Sequence, residues 1–574
     1  MGLQFGRFVL DTGARRLFRD GDDVHLSPKA FTLLELLARR RPDAVSKGEI
    51  QDLLWPDTHV VEANVANLVG EIRAALQEDS RRPQWIRTLP RFGYAFAADG
   101  VTDRSTNDGN GRPPADRVPA SPSLVVLPFA NTSQETDQEY FSDGLTGEIT
   151  NVLTHCPGLT VIARSSAFAF KGKSQDVRRV AEVLGVTHVL EGSVQRAGSR
   201  FRVTAHLVRA EDGVQLWSER YDRDVIDVLA VQDEIAMAIG AALSGTLPTV
   251  DTSHRHEPNL AAYEAYLKGR HHLPSRAPAD RDANIRAIAF FKEAARLDPD
   301  WAQPNAELAY LYLFFAWMAP QSLDPLIASA REAATNALRA DAGDSTSHAV
   351  LGAIAACYDY DWDDAHRRFR KALLSRTLPP AVHDLYAMCY LSPTGQFDAA
   401  IAQHARAIAQ DPLLVIWRAR QLMLFLNGEM YERAVREAAT VLEYEPHSFL
   451  AQFTLAQARW FLGAPDDARA AAEAAHRLAP WHQAGIGLLA GILSQTGSPE
   501  RAASLLRDLA PTTSAGQIYY HALSGDADAA LTAYLAAAEH REPVAAELAS
   551  AGFLRSLRSH PGWAAIARRM NLPA

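Results

Sequence analysis

The sequence predicts three successive domains: a small α+β domain, an α/β domain and an all-α solenoid of helical repeats. Three observations lead to this prediction. With 574 residues, the chain is too long for one hydrophobic core. A polar segment rich in Pro and Gly interrupts it at residues 101–122. A second, weaker domain boundary lies at residues 249–259, and after it small residues recur with a period near 34.

The domain boundaries follow from these changes in composition. We predict an α+β domain at residues 1–100, a flexible linker at 101–122, an α/β domain at 123–248, a repeat array at 259–540 and a helical cap at 541–574. The multidomain fold class therefore combines α+β, α/β and all-α parts.

The overall composition excludes several classes of protein. A formal net charge of −10 argues against a nucleic-acid binder that is basic throughout, but it is compatible with one small DNA-binding module. Cys156, Cys357 and Cys389 show no CxxC spacing, which suits a reducing cytoplasm and argues against a cysteine zinc site. The longest uncharged apolar run, residues 308–319, is shorter than the roughly 20 residues of a spanning helix. We therefore predict a cytoplasmic protein with no membrane association.

In the first domain, alternating apolar and polar residues around two turn signals predict a small antiparallel sheet. Ser27 and Pro28 then predict a helix start, because Ser is a good N-cap and Pro suits the first turn. A second helix is predicted from Ser46 to Trp55. The first of these helices has an apolar face formed by Phe31, Leu34 and Leu37.

The third predicted helix, EANVANLVGEIRAALQED, has one apolar and one polar face. The apolar face, at spacings of three, four and four, consists of Val65, Leu68, Ile72 and Leu76. The polar face carries the candidate base-contacting residues Asn64, Asn67 and Glu71, with Arg73 beside them. Amide side chains suit adenine edges, Glu can accept a hydrogen bond from cytosine, and Arg suits guanine or phosphate.

The segment IRTLPRFGYAF, residues 86–96, predicts two short strands and a turn, with charged residues near the tip of the hairpin. A sheet, three helices and a hairpin make a winged helix-turn-helix, in which this hairpin is the wing. Arg87, Thr88 and Arg91 would then lie where they can contact phosphate or the adjacent minor groove.

This region resembles the OmpR/PhoB-type winged-helix DNA-binding domain of bacterial transcription regulators. The segments that carry the resemblance, in family order and spacing, are LSPKAFTLLELLA, VSKGEIQDLLWP, VEANVANLVGEIRAAL and IRTLPRFGYAF. The resemblance implies that the third helix enters the major groove of double-stranded DNA and that the hairpin contacts the backbone or minor groove. It covers nearly all of residues 3–98.

The sequence departs from this family in charge and in organisation. Arg73 is the single basic residue of the recognition helix, and residues 1–100 contain 14 basic and 14 acidic side chains. Since few basic residues can neutralise few phosphates, we expect a low intrinsic affinity for DNA. We also expect no receiver domain ahead of the winged helix, so a conventional response regulator is not predicted.

Strands and helices alternate in the second domain, and three antiparallel strands and a last helix follow. This domain resembles the α/β domain akin to the amino-terminal domain of TolB. The segments that carry the resemblance are VLPFAN, YFSDGLTGEI, VLEGSVQRAG and VQDEIA. The resemblance supports a sensing or assembly role and assigns no chemistry.

Three weak candidate sites in the middle of the chain have simpler explanations. Gly172–Ser174 ends like a phosphate-binding loop, but the motif needs Gly where Ala167 stands. Cys156 follows His155, and adjacent side chains on a helix point apart. Histidines near the second boundary lack a fixed metal-ligand spacing: His254, His256, His271 and His272. We therefore predict no catalytic residue, metal or cofactor, and a protein that is not an enzyme.

In the last half of the chain, the pattern Ala-x3-Phe/Ala-x2-Ala-x4-Pro recurs. The last position of the pattern falls at residues 377, 412, 446 and 480, which are 35, 34 and 34 residues apart. Small residues allow two helices to pack closely, and Pro ends the second helix. The region resembles a tetratricopeptide (TPR) array, which presents a groove for a protein or peptide partner. Aromatic residues that could line this groove are Tyr310, Tyr312, Phe314, Trp317, Trp417, Phe425 and Trp460.

The combination predicts a soluble DNA-binding transcription regulator whose TPR array senses or recruits a protein partner or mediates self-association into a homo-oligomer. Two alternatives remain open at this point. One is a TPR scaffold with a degenerate winged helix, and the other is an enzyme with a catalytic middle domain.

Overall fold

The computed structural model divides the chain into two compact units, Met1–Val118 and Pro119–Ala574. Each unit has its own hydrophobic core. The structure describes residues 2–5, 8–11, 16–19, 22–24, 26–39, 44–48, 50, 63–76, 78, 85–89, 93–96, 101–104, 122–133, 138–156, 158–173, 176–244, 256–273, 281–318, 324–375, 378–509 and 514–572. Among these residues, no helix is both long and apolar enough to cross a membrane.

The first unit contains two antiparallel sheets within its described residues. The strands are β1 (Gly2–Phe5), β2 (Phe8–Asp11), β3 (Arg16–Arg19), β4 (Asp22–Val24), β5 (Ala44–Ser46), β6 (Ile86–Leu89), β7 (Gly93–Phe96) and β8 (Val101–Arg104). The larger sheet has the order β4-β3-β2-β1-β8 and the smaller β5-β7-β6. Helices α1 (Pro28–Arg39) and α2 (Ala63–Leu76) complete the unit. The predicted opening sheet and wing hairpin are confirmed.

Strand β8 corrects the predicted linker, which was expected to begin at residue 101. Three of the four residues in its sequence, VTDR, are polar, but its backbone pairs antiparallel with that of β1. Main-chain pairing does not depend on an apolar side-chain pattern, so composition alone missed this strand. The predicted second helix follows Ser46 at residues 47, 48 and 50, and residues 51–62 lie outside the described part of the chain.

One aromatic and aliphatic core holds the first unit together. The rings of Phe5 and Trp85 pack at 5.2 Å between centroids, and those of Phe5 and Phe96 at 5.1 Å, so the first strand is joined to both ends of the hairpin segment. The predicted apolar faces of both helices are confirmed by the buried side chains of Phe31, Leu34, Leu37, Val65, Ile72 and Leu76, with Leu68 partly buried against them.

The α/β domain opens the second unit and has the predicted order of elements. Its strands are β9 (Ser123–Val126), β10 (Ala130–Asn131), β11 (Thr160–Val161), β12 (His188–Ala197), β13 (Arg200–Arg209) and β14 (Gln215–Asp224). Its helices are α3 (Glu139–Thr154), α4 (Arg164–Phe168), α5 (Val177–Leu184) and α6 (Val228–Ser244). The sheet order is β11-β9-β12-β13-β14, parallel from β11 to β12 and antiparallel beyond.

The rest of the second unit is a succession of paired helices. The pairs are α7 (Leu260–His272) with α8 (Arg281–Leu297), α9 (Ala302–Met318) with α10 (Asp324–Ala340), α11 (Ser345–Ile354) with α12 (Trp362–Ala372), and α13 (Pro380–Tyr386) with α14 (Phe397–Gln410). They continue as α15 (Val415–Asn427) with α16 (Tyr431–Tyr444), α17 (Phe449–Phe461) with α18 (Pro465–Leu478), α19 (Gln483–Gln495) with α20 (Pro499–Leu506), and α21 (Ala515–Ser524) with α22 (Ala527–Glu539).

Small residues at the repeated positions are buried between these helices, as predicted. Ala287, Phe291 and Ala294 are fully buried in α8, and Ala434 and Ala438 are fully buried in α16. Two of the aromatic residues expected in the groove belong to the core instead, because Phe425 is fully buried and Trp417 nearly so. The other predicted groove residues are partly exposed: Tyr310, Tyr312, Phe314, Trp317 and Trp460.

The carboxyl-terminal segment, residues 541–572, folds back onto the middle of the array. It contains α23 (Pro543–Glu547), α24 (Arg555–Arg558) and α25 (Trp563–Arg569). Trp362 Nε1 donates a buried hydrogen bond to the Met570 carbonyl at 2.8 Å, and Asn427 Nδ2 donates to the Glu547 carbonyl at 3.3 Å. The predicted cap therefore also covers the array at positions far from it in sequence.

Candidate nucleic-acid interface

Helix α2, the predicted recognition helix, is joined to the start of α1 through Glu71. The Glu71 carboxylate accepts hydrogen bonds from the Ser27 backbone N at 2.6 Å and from Ser27 Oγ at 2.9 Å. Ser27 Oγ in turn accepts from the Ala30 backbone N at 3.3 Å, which confirms Ser27 as the N-cap of α1. Glu71 thus holds one helix against the other, and contact with a cytosine edge would require it to leave Ser27.

Arg73 joins α2 to the wing. Its Nη2 donates to the Ile86 carbonyl at 2.8 Å and to Thr88 Oγ1 at 2.9 Å. Both acceptors belong to β6. The Arg73 guanidinium, which is expected to contact DNA, therefore also links α2 to the hairpin by hydrogen bonds. The side chains of Thr88 and its neighbour Arg87 are exposed on this strand.

Sequence reasoning missed Glu78, which fixes the start of the wing. Its carboxylate accepts from the backbone N of Trp85 at 2.7 Å and from that of Ile86 at 3.1 Å. Its own backbone N donates to the Arg73 carbonyl at 2.9 Å, just beyond the end of α2. No local sequence pattern indicates that a carboxylate accepts hydrogen bonds from backbone amides seven and eight residues later. Only the tertiary structure therefore reveals this contact.

The three remaining predicted contact residues are described only in part or not at all. Asn64 and Asn67 lie on α2, although their side chains are not among those described. Arg91, which falls between β6 and β7 in the sequence, lies outside the described residues. The DNA contacts of these three residues, like those of Glu71, Arg73, Arg87 and Thr88, remain predictions.

Replacing Glu71 with Ala should destabilise the first unit by about 1–3 kcal/mol, because the Ser27 amide and hydroxyl lose a charged acceptor. Urea unfolding of a Met1–Val118 fragment, which has its own core, would measure the change. Arg87→Ala is the matched control, since its exposed side chain should contribute less than about 0.5 kcal/mol. Equal stability of the two variants would contradict this role for Glu71.

The weak candidate sites of the middle domain lie on or directly after helices α3 and α4. Ala167, in the position where a phosphate-binding loop needs Gly, is buried within α4. Lys173, which stands at the lysine position of that motif, is exposed, and Ser174 lies outside the described residues. Burial raises the pKa of the Cys156 thiol, which makes it a poor nucleophile.

The candidate histidines do not converge. His256 Nε2 lies 2.9 Å from Asp298 Oδ1, and His271 Nδ1 lies 2.9 Å from Asp143 Oδ2. His272 stacks on a phenylalanine ring, and His254 lies outside the described residues. Across the described part of the chain, no three His, Cys, Asp or Glu side chains form a group that could hold a metal ion.

Comparison with known proteins supports the interpretation of the first unit. Residues 21–96 match the family model described as transcriptional regulatory protein, C terminal. This part of the chain is an OmpR/PhoB-type DNA-binding domain. The chain is also similar to the crystallised response regulator DrrB, a Thermotoga maritima OmpR/PhoB homolog, with 28% identity and a TM-score of 0.16 over 17% of this chain and 43% of that one.

Two relatives match segments of this chain that are longer than this domain. The transcriptional regulator HilA of Salmonella typhimurium is 24% identical over 413 residues, which are 71% of this chain and 70% of HilA. A Rhizobium meliloti protein with the provisional name adenylate cyclase 3 is 38% identical over 203 residues, which are 35% of this chain and 34% of that protein. The chain thus spans about a third of the length of one relative and about seven tenths of the other.

Proposed function

We propose that this protein is a transcription regulator that binds double-stranded DNA through its first unit and is controlled through its TPR array. The observation that carries the proposal is the match of residues 21–96 to a regulatory DNA-binding domain whose helix and wing are fastened to each other. The similarity to the transcriptional regulator HilA over 71% of this chain supports it further.

In this proposal, the residues of the interface have two kinds of role. Asn64 and Asn67 contact base edges in the major groove, and Arg87 and Arg91 contact the backbone or minor groove. Arg73 sets the distance between helix and wing through its bonds to β6. The protein is expected in the cytoplasm, where it would reach DNA.

Arg91→Ala should weaken binding to specific and random DNA alike, while Asn67→Ala should change which sequence is preferred. A phosphate or minor-groove contact contributes to every sequence, whereas a base contact contributes about 1–3 kcal/mol to discrimination. Binding of the full-length variants to both kinds of DNA would measure the two effects. Unchanged affinity of Arg91→Ala on both would show that the wing is assigned wrongly.

A salt titration tests the affinity expected from the charge balance. With 14 basic and 14 acidic residues over positions 1–100, the domain can release few counterions, so binding should be weak and its salt slope shallow. A logarithmic slope near −9, typical of about ten phosphate contacts, would contradict this expectation.

In this proposal, the TPR array brings a protein partner or a second copy of this chain to the DNA-binding unit. Two tethered weak domains bind a tandem site far more tightly than one, because the second binding event becomes intramolecular. The full-length protein should therefore occupy a tandem site more tightly than residues 1–118, tested with and without cell extract. If the full-length protein and residues 1–118 bound the tandem site with equal affinity and stoichiometry, the role of the array would be unrelated to DNA occupancy.

A second candidate function is enzymatic and is favoured by the similarity to the Rhizobium meliloti protein named as an adenylate cyclase. It is tested by incubating the full-length protein with ATP and a divalent cation and measuring cyclic AMP. Formation of the product at a rate that scales with protein concentration would favour the enzyme.

A further inference from the structure

A cleft of about 450 Å³ lies where the carboxyl-terminal segment meets the middle of the TPR array. One wall comes from residues 393–397, between α13 and the first turn of α14, and the other from residues 549–572. The apolar residues of these walls are Pro393, Phe397, Ala549, Trp563, Ala567 and Leu572. Small-molecule sites in proteins have volumes of roughly 300–1,000 Å³ and are mostly apolar, so the cleft has the size and lining of such a site.

The polar side chains of the cleft differ in what they bind. Thr394 Oγ1 donates to the Tyr390 carbonyl at 2.8 Å, and Ser550 Oγ donates to the Ser392 carbonyl. Both hydroxyls are therefore occupied by the backbone of the loop that follows α13. Among the described residues that line the cleft, Arg558 alone carries a charge.

The guanidinium of Arg558 lacks an acidic partner within the part of the chain that the structure describes. Its Nη1 donates to the Ala551 carbonyl at 2.7 Å, which leaves other N–H groups without a protein acceptor. Glu429 pairs with Arg555 instead, at 2.5 Å. Because Arg558 is partly buried, its charge is also partly removed from water.

The electrostatics of Arg558 agree with this lack of a partner. Burial lowers its pKa below the ordinary value for arginine. Burial acts on Arg420 of the array in the same direction, but the contact with Asp384 reverses the shift and raises the pKa of Arg420. An anion bound beside Arg558 would supply the compensating charge that Asp384 supplies to Arg420.

The lining of the cleft indicates which class of anion it would accept. The planar fork of a guanidinium matches a carboxylate, which can accept two parallel hydrogen bonds from it. A phosphate monoester carries about two negative charges at neutral pH, whereas the described lining offers one positive charge. The rings of Trp563 and Phe397 suit an aromatic group on the same ligand.

We propose that this cleft binds a small aromatic monocarboxylate, whose carboxylate pairs with Arg558 and whose ring packs against Trp563 and Phe397. The ligand contacts the array on one side and the carboxyl-terminal segment on the other, so its binding holds the two together. The lining residues all belong to the second unit. The site therefore does not depend on the proposed DNA binding.

Calorimetric titration of the full-length protein with benzoate, phenylacetate and indoleacetate tests the site. At least one acid should bind with a dissociation constant of about 1 mM or lower, and its neutral amide should bind about tenfold more weakly or less. Absence of binding by all three acids would overturn the proposal. Tighter binding of phenyl phosphate than of the acids would overturn the carboxylate assignment.

Variants of Arg558 locate the charge that binds the acid. Arg558→Gln should weaken binding of the acid about 10–100-fold, because it removes a charged hydrogen-bond donor. Arg558→Lys keeps the charge but not the planar fork, so its affinity should lie between the two. The matched control is Arg568→Gln, which removes an exposed positive charge from α25 outside the cleft. Equal weakening by Arg558→Gln and Arg568→Gln would overturn the pairing.

A second variant keeps the test decisive if Arg558→Gln disturbs folding through its lost bond to Ala551. Ala567→Phe narrows the cleft and leaves Arg558 in place, so it should abolish binding of the acid while circular dichroism shows an unchanged helical content. Undiminished binding by Ala567→Phe would overturn the assignment to this cleft. In the original protein, saturating acid should slow hydrogen exchange in peptides from residues 549–572, and unchanged exchange there would overturn it too.

Discussion

Replacing Asp384 with Ala is expected to lower the free energy of unfolding of the second unit by about 3–5 kcal/mol. Asp384 Oδ1 accepts from Arg420 Nε at 2.8 Å and from His404 Nε2 at 2.9 Å, and all three helices involved belong to the array. His404 is fully buried, so the variant leaves a buried imidazole and a partly buried guanidinium without their acceptor.

Urea unfolding of the full-length protein, monitored by circular dichroism of its helices, would measure this loss. Asp398→Ala provides the control, because Asp398 is an exposed carboxylate in the same helix as His404 and should change stability by less than about 0.5 kcal/mol. If the two variants unfolded at the same urea concentration, the buried cluster would not contribute to stability.

The effect of Asp384 should also depend on pH. Burial alone would raise the pKa of this carboxyl, but Arg420 and His404 hold it below its ordinary value. Because the folded-state pKa is lower than that of the unfolded chain, about 3.9, the contribution is complete above that pH and is lost as pH falls through the folded-state value. The difference between the original protein and Asp384→Ala should therefore shrink in acid.

Replacing Gly93 with Ala is expected to disrupt the wing and to abolish DNA binding while the second unit remains folded. An ideal Cβ at Gly93 would lie 1.9 Å from the Val45 carbonyl oxygen and 2.9 Å from Ser46 Cα. Both are backbone atoms of β5, so no side chain can move aside. Strands β5 and β7 would have to separate, at a cost of about 3 kcal/mol or more to the first unit.

Gly70→Ala is the matched control for this prediction. Gly70 lies on the exposed side of α2, and a Cβ there would meet no atom within 4 Å. Since Ala is the better helix former, this variant should be more stable by about 0.5–1 kcal/mol. DNA binding retained by Gly93→Ala at the level of Gly70→Ala would contradict the close approach of β5 and β7.

Local sequence patterns predicted the elements of this protein better than its long-range contacts. Ser27 could be assigned as a cap, because the N-cap preference is local and depends on few neighbours. The hydrogen bonds of Glu71 could not be predicted, because helical spacing shows only which face a residue occupies and its partner Ser27 lies 44 positions away; its contact with DNA stays a prediction. The contact between Ser165 and Asp411 spans 246 positions and leaves no periodic trace.

Composition misled in a similar way at the ends of domains. The strand Val101–Arg104 looks like a linker because pairing with β1 uses the backbone, and its side chains do not alternate between apolar and polar. The carboxyl-terminal segment looked like a simple cap because it departs from the repeat. Its bond from Trp362 to Met570 could not be inferred from either segment alone.

That last bond has a consequence for how the protein is made. Trp362 and Met570 are 208 positions apart, and a ribosome that adds about 5–20 residues per second needs roughly 10–40 s to synthesise the intervening chain. During this interval the middle of the array has been synthesised, but the carboxyl-terminal segment that covers it has not. A solenoid normally folds repeat by repeat as it emerges, whereas this contact can form only after the segment that contains Met570 has left the ribosome. Synthesis that stops before Met570 would therefore yield an array in which the Trp362 indole lacks its acceptor.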